Sequence, residues 1–264
     1  MRDYVFRAVR RLDLSRRLLA CVCCLASGWL TAEIEAEEPA APDPPKIALA
    51  SPLAIVPGQT TRVVLRGWSL DKATAVRSLA SSCQVRLLKQ GAAAVPGRQD
   101  AKQVGDSQVE LEIMTPDDFA GDEASLVVTA PGGTAEILLL VGGTQPIMQE
   151  QEPNDGFQQA QQVAVNQIVE GQIHADRNVD VFTFSIEKQG TFQAEVLAAR
   201  RGSALDGALV LYTERGDIVA RSDDALAADP RLAVELSPGR YFLSLSDALD
   251  RGGPAHPYRL TLQQ

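Results

Sequence analysis

The chain is poor in the residues from which most catalytic and metal centres are built. It has only two histidines, His174 and His256, and it lacks a His-Glu-x-x-His pair, a Gly-x-Ser-x-Gly turn and any clustered cysteine motif outside its first residues. Those absences remove the common metalloprotease, serine-hydrolase and zinc-cluster readings. Three of the four cysteines, Cys21, Cys23 and Cys24, crowd into the N-terminal segment and leave Cys83 alone. A chain that loses that segment cannot form an internal disulfide. Aromatic residues make up 5% of the sequence, which disfavours a stacking-type sugar groove. The apolar run from Leu18 to Leu30 is too short to span a bilayer.

What is present at the N-terminus has the character of an export signal. Arg2, Arg7, Arg10, Arg11, Arg16 and Arg17 precede the apolar run, and small residues follow it. Residues 1–36 therefore read as a signal peptide, with the mature chain starting between Trp29 and Glu37. Arg16-Arg17 partly resembles a twin-arginine signal and Leu18 to Cys21 a lipoprotein box; the ordinary secretory route is favoured. Removing this segment takes six basic and four acidic side chains from totals of 25 and 34, leaving a net charge of −11. Such a balance argues against nucleic acid and anionic membrane as partners. A secreted, periplasmic or cell-envelope protein is expected, with no transmembrane segment in the mature chain.

Residues 37–45, Glu-Glu-Pro-Ala-Ala-Pro-Asp-Pro-Pro, read as a proline-stiffened spacer that cannot pack. Beyond it, short alternating runs are separated by Gly, Pro, Asp and Ser turns, and no stretch keeps a helical period for three turns. The fold class is all-β, in two β-sandwich domains. The first, residues 46–143, carries runs at 61–66, 83–87, 109–113, 126–129 and 137–141, a spacing that suits one Ig-like sandwich. Its Pro57-Gly58, Gly67-Trp68 and Pro131-Gly-Gly133 turns resemble those of the TIG/IPT family of Ig-like domains, which implies a spacer or interaction module.

The second domain, residues 146–264, has eight candidate strands: 168–174, 179–186, 191–197, 208–212, 218–221, 232–236, 241–245 and 258–262. Eight strands favour a jelly-roll-like sandwich. Several ordered motifs mark it: Glu152-Pro-Asn-Asp155, Asp180-Val-Phe-Thr-Phe184, Gly190-Thr-Phe192, Leu205-Asp206, Ser222-Asp-Asp224, Asp229-Pro-Arg-Leu232, Pro238-Gly-Arg-Tyr-Phe242 and Tyr258-Arg-Leu-Thr-Leu262. Together they resemble the bacterial pre-peptidase C-terminal domain, a family similar in architecture to the collagen-binding domains of secreted collagenases. The resemblance implies an accessory module of secreted hydrolases.

Along 179–186, Asp180 shares the face of Phe182, Phe184 and Ile186, so it turns toward the core and needs a partner. In calcium-binding members of the family, the acidic first segment and the aspartate opening the next long strand share the ion. By position that implies Glu150, Glu152, Asn154, Asp155 and Asp180 as Ca2+ ligands, a donor set of the right hardness for six to eight oxygens. Arg177-Asn178 stands where the family often has Gly-Asp, which weakens the site. The alternative is a plain turn, in which Asn154 or Asp155 bonds its own backbone and Asp180 caps the loop.

Other features read as structural. Asp223, Asp224 and Asp229 are expected as solvated loop residues rather than a second oxygen site. Arg215-Gly-Asp217 is a hairpin tip, and both histidines are expected to be ordinary surface residues. Cys83 packs inward with Val85 and Leu87; Trp68 either covers the first core or stands exposed.

The function expected is a non-enzymatic binding or positioning module outside the cytoplasmic membrane, calcium-stabilised if the resemblance holds. Its candidate partners are envelope glycan, an extracellular polymer or a partner hydrolase. The rivals are a small secreted hydrolase using Asp180, Asp223, Asp224 or Asp229 as acid and base, and a purely structural envelope component.

Overall fold

The computed structural model describes residues 41–142 and 145–264; the expected signal peptide and most of the spacer lie outside the described residues. Two β-sandwiches follow one another. The first is built from β1 (Lys46–Ser51), β2 (Ala54–Ile55), β3 (Thr60–Trp68), β4 (Ala75–Ser78), β5 (Gln84–Ala92), β6 (Ser107–Met114), β7 (Glu123–Ala130) and β8 (Gly133–Val141), with one short helix, α1 (Ala101–Val104), before β6. The second comprises β9 (Ile147–Gln149), β10 (Gln161–Gln162), β11 (Gln167–Gln172), β12 (Val179–Ile186), β13 (Gly190–Leu197), β14 (Gly207–Thr213), β15 (Ile218–Ser222), β16 (Arg231–Leu236), β17 (Gly239–Asp247) and β18 (Pro257–Gln263). The all-β class expected from the alternation is what forms.

In the first sandwich, the sheets run β1-β3-β6-β5 and β2-β8-β7-β4. The alternating pattern of β6 puts Val109, Leu111 and Ile113 inward against Leu126, Val128 and Leu139, all fully buried. Cys83 joins this core, as its alternation implied. Trp68 is half-buried, and its indole Nε1 donates to Ala101 O at 2.9 Å, so it anchors α1.

The spacer departs from expectation at its end. Pro45 is buried, and the backbone of Pro42 and Asp43 lies so close to Gly132 that a Cβ there would stand 2.2 Å from Asp43 O. Glycine at 132 is what lets the extended segment dock.

In the second sandwich, the sheets run β10-β12-β17-β14-β15 and β16-β13-β18-β11-β9. All eight candidate strands form, and β9 and β10 are short edge strands the alternation did not reveal. Phe182, Phe184, Leu209, Leu211, Leu243 and Leu245 from one sheet face Phe192, Val196, Tyr258, Leu260 and Leu262 from the other. The Phe184 and Phe192 rings stack across the core, with centroids 4.5 Å apart. Arg215-Gly-Asp217 is the tip of the β14–β15 hairpin, as expected; Gly216 has φ +87° there, and Thr213 Oγ1 accepts from the amides of Arg215 and Asp217.

Residues 41–264 form one compact unit. Leu49 and Val104 from the first sandwich pack with Ala255 from the second into a small shared core. Arg98 donates to Leu249 O and Asp250 O, and Arg201 pairs with Glu123 at 2.6 Å. Among the described residues, no helix is long and apolar enough to cross a membrane.

Candidate metal centre

The route of the chain at the start of the second sandwich creates the site. β9 lies beside β11 at the edge of one sheet, while β10 lies beside β12 at the edge of the other. Residues 150–160 must therefore cross from sheet to sheet over the open edge of the sandwich. The crossing is tied down at both ends, by Glu150 N donating to Glu170 O at 2.9 Å and Val181 N donating to Asn154 O at 2.9 Å. Farther along, the Phe157 ring stacks on Phe242 at 4.6 Å and meets Tyr212 edge-on at 5.1 Å.

Four of the five expected ligands converge under this crossing. Glu150 Oε1 accepts from Asn154 Nδ2 at 3.2 Å, and its Oε2 accepts from Gln172 N at 2.8 Å. Glu152 Oε2 accepts from Asn154 N at 3.1 Å. Asp180 opens β12 directly behind them, fully buried, and its Oδ2 accepts the Tyr258 hydroxyl at 2.7 Å. Asp155 stands apart: it is exposed and accepts from Asn178 Nδ2 at 2.8 Å.

Two oxygens in this cluster have no partner. Asn154 Oδ1 and Asp180 Oδ1 are buried without a hydrogen bond, although both residues are fully enclosed. Leaving such acceptors bare costs about 1–3 kcal/mol each. The local bond from Asn154 N to Glu152 is a turn bond, but Asp180 does not cap that turn, because its partner is Tyr258 on the opposite sheet. The turn bond therefore leaves Asn154 Oδ1 and Asp180 Oδ1 without a hydrogen-bond partner.

Burial and the crowding of carboxylates perturb the groups under the crossing. Burial pushes the Asp180 carboxyl far up, the Glu150 and Glu152 carboxylates add to the rise, and the Tyr258 hydroxyl opposes it. Burial and the nearby carboxylates likewise raise the Tyr258 phenol well above its usual range. Gly171 forms part of the floor: a Cβ there would lie 2.4 Å from Tyr258 Oη and 2.7 Å from Glu150 Oε2. Glycine leaves room for both groups in their observed positions.

One of the two histidines departs from the expectation of surface residues: His174 lies at the surface and His256 does not. His174 is exposed, but its Nδ1 lies 3.1 Å from Glu152 Oε1, and donor atoms of Glu150, Glu152 and His174 all fall within 4.8 Å of one another. Glu152 and His174 are joined by the fold and not by any short motif, so spacing could not reveal them. His256 is fully buried; both ring nitrogens lack hydrogen-bond partners, and Nε2 lies 3.9 Å from Asp247 Oδ2. Desolvation lowers its pKa, against the pull of Asp247.

Asp229 is not a solvated loop residue either. It is fully buried, accepting from the amides of Ala198, Ala199 and Arg200 and from Arg200 Nε. The backbone of the 198–200 turn needs an acceptor, and Asp229 supplies it. Asp223 and Asp224 are exposed, as expected.

Between the sandwiches lies a cleft of about 440 Å³ whose walls include Gln59, Thr60, Thr61, Gln149 and Gln172, together with Glu150 and His174 of the cluster. Glu170 also lines it, nearly fully buried; its Oε1 lies 3.4 Å from Arg259 Nη1 without forming a hydrogen bond. Burial pushes the Glu170 carboxyl up to about 7, against the pull of Arg259 and the Leu53 backbone.

Fold and cluster together define a double β-sandwich protein with an oxygen-rich centre at the edge of its second sandwich. No protein-family model matches the chain, and no curated protein matches it. Among solved structures, it is similar to the pre-peptidase C-terminal domain of a collagenase from Bacillus anthracis, with 19% identity and a TM-score of 0.35 over 43% of this chain and 100% of that one. It is also similar to SGBP-B from the mixed-linkage glucan utilization locus of Bacteroides ovatus, solved in complex with a mixed-linkage heptasaccharide, with 8% identity and a TM-score of 0.23 over 74% of this chain and 71% of that one. SGBP-B from a complex xyloglucan utilization locus in Bacteroides uniformis gives 10% identity and a TM-score of 0.23, over 84% and 73% of the two chains.

Proposed function

We propose that the chain is an exported, non-enzymatic binding module acting outside the cytoplasmic membrane. In this reading, a TIG/IPT-like spacer domain (46–143) precedes a pre-peptidase C-terminal-like domain (146–264) whose crossing segment is locked by Ca2+. The observation that carries the cation reading is the pair of enclosed, unpartnered oxygens, Asn154 Oδ1 and Asp180 Oδ1, beside the Glu150 and Glu152 carboxylates. Glu150, Glu152, Asn154 and Asp180 would hold the ion; when bound, it neutralises carboxylates that otherwise repel. Asp155 is left out of the ligand set, since Asn178 engages it. Water completes the six to eight oxygens that calcium takes.

The partner favoured is an envelope glycan or another hydroxyl-rich extracellular polymer. The cleft between the sandwiches offers amide and hydroxyl groups suited to sugar hydroxyls, and its volume lies in the range of ordinary ligand sites. The hydrolase reading loses one of its four carboxylates, because Asp229 spends its lone pairs on the 198–200 turn and on Arg200.

The test is retention of the exported chain on insoluble glycans, collagen and isolated envelope, in calcium and in chelator. Retention on a glycan that is lost in chelator supports the proposal. No retention in either buffer ends the polymer-binding reading, and retention only on collagen or envelope protein moves the partner to another class.

A further inference from the structure

The same cluster carries a nitrogen donor that a calcium site does not call for. His174 closes the outer side of the centre, with Nδ1 3.1 Å from Glu152 Oε1, and Glu150 lies within reach of both. We propose that His174, Glu152 and Glu150 form a site for an imidazole-preferring transition dication such as zinc, at the mouth of the cation centre. This rests on the reading of the crossing as a cation site and adds a second class of ion that it takes.

Ligand chemistry supports it. Calcium is a hard cation that takes oxygen, whereas neutral imidazole suits zinc, nickel and copper. A zinc ion sits about 2.0–2.2 Å from nitrogen and oxygen donors, which brings neighbouring ligands to roughly 3–4 Å from one another. The His174–Glu152 pair already stands at 3.1 Å. Behind it, Asn154 Oδ1 and Asp180 Oδ1 are enclosed without a hydrogen bond, so the inner wall offers two further oxygen donors.

Asn178 ties the backbone of the imidazole donor to the far side of the site. Asn178 Oδ1 accepts the His174 amide at 2.9 Å, while Asn178 Nδ2 holds Asp155 at 2.8 Å. One side chain thus fixes the backbone of the imidazole donor and draws Asp155 out of the ligand set. Asn178 is a positioning residue for His174. Because Glu150 and Glu152 serve both ions, zinc and calcium compete.

The test is calorimetric titration of zinc and, separately, of calcium into chelator-treated full-length protein, for the wild type, His174→Gln and Asp180→Asn. One zinc per chain is expected; His174→Gln weakens it by about tenfold or more while calcium affinity shifts less than about threefold. Pre-loading with calcium lowers the apparent zinc affinity in the wild type. Zinc binding that is absent in the wild type, or unchanged in His174→Gln, overturns the proposal. Failure of calcium binding alone, with zinc still dependent on His174, discards the calcium reading and leaves this one standing.

Discussion

The Tyr258 hydroxyl donates to Asp180 Oδ2 at 2.7 Å, joining β18 of one sheet to β12 of the other through the edge of the core. This is the partner that a core-facing carboxylate requires, and it satisfies one oxygen only. Removing it in Tyr258→Phe strips Asp180 of its donor in the cation-free protein. A loss of about 1–3 kcal/mol is expected, read as a shift of the urea midpoint with unchanged slope. Since Phe keeps the ring packing, an unchanged midpoint would mean that the bond contributes nothing.

Calcium linkage to pH follows from the same residue. Burial and the Glu150 carboxylate keep the Asp180 proton on in the cation-free state, and an ion bound by ionised carboxylates must expel it. Calcium affinity therefore rises with pH through the neutral range, with release of about one proton per ion. Titrations in buffers of different ionisation heat measure that number. Affinity independent of pH would show that Asp180 is not a ligand.

Glu170 supplies a pH dependence of stability. Its folded pKa of about 7 lies above the ordinary 4.5, so between those values the folded state holds more protons than the unfolded state. Stability then falls as pH rises from about 4.5 to 7 and levels off above. The gap corresponds to about 3 kcal/mol. Denaturant unfolding of wild type and Glu170→Gln in chelator checks it: the variant should show a flatter slope over this window, with the remaining dependence left to Asp180.

Gly171→Ala places a methyl group against Tyr258 Oη and Glu150 Oε2. Both groups must shift, at a cost of about 1–3 kcal/mol. Thermal unfolding should show a lower midpoint that calcium recovers less than in the wild type. An unchanged midpoint with full calcium response would mean that the floor of the centre yields freely.

Much of this was legible in the alternation of apolar residues. Phe182, Phe184 and Ile186 placed Asp180 on the inner face, and the stripes of β17 and β18 announced the core, because a period of two is a local property. The two-residue β10 and three-residue β9 carry no such period, so the crossing between sheet edges stayed hidden. His174 escaped for a related reason: its proximity to Glu152 is created by that crossing. His256 and Asp229 look like loop residues in sequence, and only the folded chain shows both side chains buried.

The centre itself is tested most directly by calorimetric titration of calcium into chelator-treated protein at neutral pH, beside Asp180→Asn. One ion per chain in the wild type, with affinity lost in the variant, is the result predicted. No heat in the wild type at millimolar calcium, or equal binding by the variant, would contradict a calcium centre built on Asp180.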